Sequence, residues 1–343
     1  MKIDYARKGE MQRSRLFSLT LVLGMGFTAC RCTPKPEPTK PAPVSSTSQA
    51  VTPTPPTSSS SSPEGPAALD GDSGCPAALA ETRRGGTKPN VFVAPTDAEM
   101  KAARVAFAKL LKGDEKADVA AFGMEVVPLE GWADTFLVRE AGEKRQGRGA
   151  FVFRKGSTSS FVVQAPHTFY DEGTFPIGCD LFQRTKARAF FINTAHRYKA
   201  APEKDGQHPA DMAHAPATIF QAGTEGVIDV LGKSTQVIQV HGFADRKLGA
   251  RAVVSVGEKK QNNPIVAKVA KAVEEVTGPR ILKYPEDTKE LGATTNVQGA
   301  IIRRAGGKFL HIEMDDGLRR DLVKDGALRG RMLDALWGAF SGS

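Results

Sequence analysis

The chain has 343 residues, 40% of them hydrophobic and 25% charged, a balance that suits a soluble globular protein and argues against a membrane-spanning or fibrous one. Its formal charge is +9. Lys2, Arg7, Lys8, Arg13 and Arg15 set against Asp4 and Glu10 place three of those charges in the first 29 residues, leaving +6 for the rest. With no block of consecutive Lys/Arg and no basic stripe interleaved with aromatics, nucleic acid is not an expected partner, whereas an acidic substrate is compatible with the charge.

The chain opens on a basic stretch followed by an apolar run, Leu16 to Ala29, and then Cys30. This is the pattern of a cleaved export signal and is too short for a stable spanning helix. Met11 is an equally good start. Phe27, Thr28 and Ala29 resemble a lipobox in their small residues, with Phe where Leu is usual, so Cys30 is the expected lipidation site. Cys32 follows Arg31, where a small residue is required. From Thr33 to Pro66 the chain is almost entirely Pro, Ser, Thr and Ala, with too little apolar surface to offset the entropy of ordering. At ~3.1 Å per residue in an extended Pro-rich chain, this tether reaches roughly 100 Å. The expected organisation is a lipoprotein signal peptide over 1–29, a disordered linker over 30–74 and a domain over 75–343, lipid-anchored to the cell envelope, with the inner and the outer membrane both open as the anchoring surface. In an oxidising compartment Cys75 and Cys179 can pair as a disulfide; two buried thiols are the alternative.

Residues 75–145 are expected to cap the main sheet and to contain a helix over Thr96 to Leu111, with Thr96 as N-cap and Glu99 three residues on. A hairpin is predicted next, Ala150 to Arg154 with Ser160 to Gln164, turned by Lys155 to Thr158. Further strands are predicted at Phe161 to Ala165, Ala189 to Asn193, Gln236 to Val240, Ala252 to Val256, Arg280 to Tyr284 and Lys308 to Ile312. Helices are predicted at Phe175 to Lys186, Ala215 to Leu231, Pro264 to Val276 and Leu318 to Phe340. The alternation specifies an α/β domain with a mixed, mostly parallel sheet flanked by helices. Ligands of such folds bind beyond the carboxyl ends of the strands.

Several of these strands run into reactive side chains: His167, His196 with Arg197, His241, and Glu313. Three imidazole or carboxylate ligands with an open position suit a hydrolytic zinc ion. His167 and Glu172 on one loop and His241 from a second strand supply such a set, and Glu313 is placed to act as general base. Asp211 and His214 lie in a loop over Gln207 to Pro216, long enough to reach the metal or to orient a ligand histidine, or merely to cap the next helix. His208 is expected to be exposed, and His311 to share a strand face with Glu313. No Gly-x-Ser-x-Gly elbow supports serine hydrolysis. Gly232-Lys233-Ser234-Thr235 mimics the end of a phosphate loop, but Val227 stands at the required glycine and the motif follows a helix, so it is a helix C-cap.

The stretch from Ala165 to Thr174, then Val240-His241-Gly242, then Phe309 to Met314, resembles in order and spacing the zinc-dependent poly-gamma-glutamate hydrolases and N-formylglutamate amidohydrolases, over roughly Ser160 to Arg320. The resemblance implies a carboxypeptidase-like α/β fold, one zinc ion on His167, Glu172 and His241, and Glu313 as base. It also implies that Asn193, His196 and Arg197 meet a substrate carboxylate. The chain departs from the phage enzymes in its bulky Thr168-Phe169-Tyr170-Asp171, where they have small glycines, and Asp171 could replace Glu172 as ligand. The expected function is hydrolysis of an amide in a gamma-glutamyl polymer or peptidoglycan peptide. A tethered binding protein that grips an acidic peptide without cleaving it is the rival, and a structural envelope protein without metal is a third reading.

Overall fold

A computed structural model describes residues 74–85, 91–143, 145–244 and 248–343; the expected signal peptide, Cys30 and the linker up to residue 73 lie outside the described residues. The elements in chain order are α1 (Ala77–Gly85), α2 (Asp97–Leu111), β1 (Met124–Pro128), β2 (Thr135–Glu140), β3 (Ala150–Arg154), β4 (Phe161–Ala165), α3 (Thr174–Arg184) and β5 (Ala189–Ile192). They continue with α4 (Ile219–Leu231), β6 (Gln236–Phe243), β7 (Ala252–Ser255), α5 (Pro264–Thr277), β8 (Ile281–Lys283), α6 (Val297–Arg304), β9 (Lys308–Asp315), α7 (Asp316–Lys324) and α8 (Gly326–Ser341).

Strand parity builds two apolar layers, because successive side chains leave a strand on opposite faces. Leu137, Val152, Val163, Ile238 and Leu310 enter one layer, packed against α3, α5 and α8. Phe136, Phe151, Phe153, Val162, Val237 and Phe309 enter the other, where Phe107 of α2 and Phe220 of α4 meet them. The result is a mixed α/β fold, helices on both faces of a nine-stranded sheet ordered β1-β2-β3-β5-β4-β6-β9-β7-β8. The central ladders β5–β4, β4–β6 and β6–β9 are parallel. Antiparallel pairing joins β1, β2, β3 and β5 on one side, and β7 to β9 on the other.

Four local expectations change. The predicted hairpin does not close: β5 inserts between β3 and β4, since its four residues are all buried and such a strand belongs inside a covered sheet. The 75–145 segment is not only a cap, because β1 and β2 extend the sheet itself. The C-terminal helix is two helices: Asp325 accepts from the backbone N–H groups of Ala327 and Leu328, which starts a new helix where the apolar pattern runs on. Thr218 caps α4 in the same manner by accepting from Gln221 N, so that helix begins at Ile219 and not at Ala215. The predicted cap of α2 is present in full, with Thr96 and Glu99 bonding each other's backbone N–H. Gly232 is the C-cap of α4, at φ 53°.

Cys75 and Cys179 form a disulfide across 104 residues. It holds the start of α1 against α3. From α1, buried Arg83 donates to the Thr168 carbonyl at 2.6 Å and stacks on Phe169 and Phe175, which ties this helix to the loop bearing His167.

Candidate metal centre

The parity that sends Val237 and Phe309 into the apolar layer sends Gln239 and His241 of β6, and His311 and Glu313 of β9, to the same face. Parallel register sets Gln239 beside His311 and His241 beside Glu313. Both strands run further than expected, to Phe243 and Asp315, so His241 and Glu313 sit within paired strands rather than past their ends. On the other side of β6, β4 ends at Ala165 and the chain makes one helical turn: the N–H groups of Tyr170 and Asp171 both donate to the His167 carbonyl, at 3.0 and 2.8 Å. Residues i and i+4 share a face of such a turn, so Asp171 stands beside His167. Glu172, one residue further, is turned out and exposed.

His167, Asp171 and His241, all buried, can therefore offer one ligand atom each within 4.8 Å of the others. Asp171 Oδ2 lies 3.4 Å from Nδ1 of His167 and 3.4 Å from Nδ1 of His241, and neither Asp171 oxygen has a hydrogen-bond partner among the described residues.

The partners of the two rings decide which nitrogen carries the proton. Gln298 Nε2 donates to the Met212 carbonyl at 2.8 Å and to Gln221 Oε1, which turns Gln298 Oε1 toward Gln239. Gln239 Nε2 then donates to Gln298 Oε1 and Gln164 Oε1. Its own Oε1 accepts from Asn296 Nδ2 and from His241 Nε2, the latter at 3.1 Å. A backbone carbonyl can only accept, so the polarity of this buried chain is set, and His241 carries its proton on Nε2. His167 Nε2 donates to Asp211 Oδ1 at 2.8 Å, which leaves its Nδ1 without a proton of its own as well. Two imidazole nitrogens that carry no proton of their own thus converge on a carboxylate whose oxygens have no hydrogen-bond partner among the described residues. That donor set calls for a cation, and carboxylate or amide partners behind ligand histidines are the usual support of a metal site.

Arg197 supplies part of the missing charge. Its Nη1 is 3.2 Å from His167 Nδ1, and its Nη2 donates to Asp211. With Arg197 donating toward Nδ1, the neutral tautomer of His167 satisfies Arg197 and Asp211 and leaves Asp171 without a donor. Burial pushes His241 down to about 4 and His311 well below its ordinary value. For His167, burial and Arg197 push down while Asp171 and Asp211 push up, with a net rise.

The triad opens into a cavity of about 380 Å3 that His311, Glu313, Arg197 and His214 also line. Glu313 Oε1 is 3.5 Å from His311 Nε2. Asp211 joins three groups, binding His167, Arg197 and His214, whose Nδ1 is 3.1 Å away. Two expected substrate contacts are elsewhere. Asn193 is fully buried, accepting from Thr168 N and Oγ1 at 2.9 Å and donating to the Ala195 carbonyl; its amide is used up bracing the His167 turn. His196 accepts from Tyr198 N at 3.2 Å and does not line this cavity. Sequence reasoning missed Gln239, whose signal was its place two residues before His241 on the same strand face. It also missed Tyr170 and Tyr198, whose rings meet at 4.9 Å beside Arg197 and whose proximity depends on the fold.

No protein-family model matches this chain, and no curated protein matches it. Solved structures do resemble it. A bacteriophage poly-gamma-glutamate hydrolase is 13% identical, with 58% of this chain and 91% of that one covered at a TM-score of 0.38. A metallo-carboxypeptidase from Burkholderia cenocepacia is 14% identical over 72% of this chain and 70% of that one, at a TM-score of 0.36.

Proposed function

We propose that this chain is a lipid-anchored, metal-dependent amide hydrolase of the cell envelope that cleaves a carboxylate-bearing substrate, a gamma-glutamyl polymer or a peptidoglycan peptide. The observation that carries the reading is the convergence of two Nδ1 atoms, neither carrying a proton, on the Asp171 carboxylate. His167, Asp171 and His241 would hold one zinc ion, which nitrogen and carboxylate ligands suit. When bound, zinc supplies Lewis acidity, polarising the amide carbonyl and easing deprotonation of a water. Glu313, across the ladder from His241, takes that proton and returns it to the leaving nitrogen. Asp211 and Gln239 keep the two imidazoles in the tautomer that binds metal. Arg197 and His214, at the cavity wall, are placed to meet substrate charge.

The purified protein is expected to carry one zinc per chain and to cleave poly-gamma-glutamate or a peptidoglycan stem peptide, with activity lost to chelator and restored by zinc. A chain that binds acidic peptide equally with and without chelator, and cleaves none, would instead be the tethered binding protein. Lipid labelling of the wild type, absent from Cys30→Ser, tests the anchor. A second ligand set is favoured by one observation: His241, His311 and Glu313 also bring ligand atoms within 4.8 Å of one another. In that case Glu313→Gln empties the site and Asp171→Asn does not.

A further inference from the structure

Arg319 of α7 is the charge that the reading above does not use. Its side chain is 5% exposed and lies between two glycines. A Cβ on Gly173 would stand 3.3 Å from Arg319 Cβ, and a Cβ on Gly242 would come within 1.7 Å of Arg319 Nη1. Gly242 follows His241 and Gly173 lies two residues beyond Asp171, so the guanidinium rests against the backbone next to His241 and the base of the side chain rests against the segment that follows Asp171. Any side chain at Gly242 would displace it.

Its hydrogen bonding is incomplete. Nη2 makes two long contacts, 3.5 Å to the Phe243 carbonyl and 3.4 Å to Asp316 Oδ1, while Nε and Nη1 have no partner among the described residues. Asp316 is held more closely by Arg320, at 2.7 Å, and Asp315 is committed to capping α7 through Leu318 N. A guanidinium does not deprotonate in proteins, and a buried charge held only by long contacts is costly. Arg319 faces a second cavity, of about 660 Å3, that shares Tyr170, Gly242 and Phe243 with the triad cavity.

We propose that Arg319 is the floor of a carboxylate-binding subsite next to the metal centre, which receives an acidic group of the substrate one unit away from the scissile amide. The inference rests on the hydrolase reading for its substrate class. A planar carboxylate fits the guanidinium fork with two charge-assisted bonds. In a gamma-glutamyl chain every unit carries a free α-carboxylate, so a chain with one amide at the triad presents such a group to the adjoining cavity.

The test is calorimetric binding to the metal-free, full mature chain of a gamma-glutamyl trimer and of the same trimer with its carboxylates converted to carboxamides. The wild type is expected to prefer the carboxylate form at least about tenfold. Arg319→Met is expected to cut that preference several-fold, leaving the part that Arg197 and His214 supply, while zinc stoichiometry and melting temperature hold. Should the Met variant not fold, Arg319→Lys carries the test: it keeps the charge without the fork and is expected to lose several-fold in carboxylate affinity. No preference in the wild type, or an undiminished preference in the folded variant, overturns the subsite. A wild type that prefers carboxylate through Arg319 yet cleaves nothing when zinc-loaded leaves the subsite standing and removes the hydrolase.

Discussion

Asp171 and Glu172 are neighbouring carboxylates with opposite settings, one buried between two imidazoles and the other exposed. A five-residue separation in an extended loop would let Glu172 face His167; a helical turn rotates it about 100° further round and gives the place to Asp171. The two variants therefore separate the cases. Asp171→Asn is expected to weaken zinc binding by a hundredfold or more, whereas Glu172→Gln is expected to leave zinc content and turnover within about twofold. Glu313→Gln should keep the metal and lose about a hundred- to ten-thousandfold in turnover, the usual cost of removing a general base. Metal analysis and single-turnover kinetics on the three variants read this directly; full zinc retention by Asp171→Asn would exclude the triad.

At the element scale, the N-terminus of α2 shows how a short motif anchors a helix to the sheet. Thr96 and Glu99 cap the helix, and Glu99 also accepts from Arg148, at 2.6 Å, whose side chain is only 4% exposed. The hydrogen bond from Arg148 holds the Glu99 carboxyl at about 2, below its ordinary 4.5. Because the folded value is the lower one, this stabilisation is complete above about pH 4.5 and is lost as pH falls toward 2. With Glu99 a quarter exposed, solvent screening limits the contribution to about 1–2 kcal/mol. Glu99→Gln should thus unfold at lower urea than wild type at pH 7, with the gap closing between pH 4.5 and 2. A gap independent of pH would mean that the helix cap, and not the charge, is what Gln disturbs.

On the scale of the whole molecule, the disulfide closes a long loop that begins at α1 and includes the His167 turn. Loop-closure entropy for about 100 residues gives an upper figure near 4.7 kcal/mol, and measured losses run about 2–5. Replacing Cys75 and Cys179 by Ser is expected to lower unfolding free energy by about 2–4 kcal/mol. It should also loosen the grip of Arg83 on Thr168, and hence the turn that holds His167 and Asp171. Urea unfolding of the oxidised and double-Ser proteins, with zinc affinity measured on both, would refute this if the midpoints coincide.

What could be read from the sequence is what depends on neighbours in the chain. The α2 cap, the apolar alternation of β4, β6 and β9, and the α/β class all rest on local sterics and period, and His167, His241, His311 and Glu313 stood out by their place along strands. What tertiary structure decided is everything that needs two distant segments at once. The insertion of β5 between β3 and β4 is a choice among strand partners that no single strand encodes. Asp171 rather than Glu172 depends on the turn after β4, and the protonation of His241 depends on a chain of amides from β4, α4, β6 and α6 that ends on the carbonyl of Met212. Arg319, 78 residues after His241 in the chain, comes to rest beside it only because β6 and β9 are partners and the glycine at 242 leaves it room.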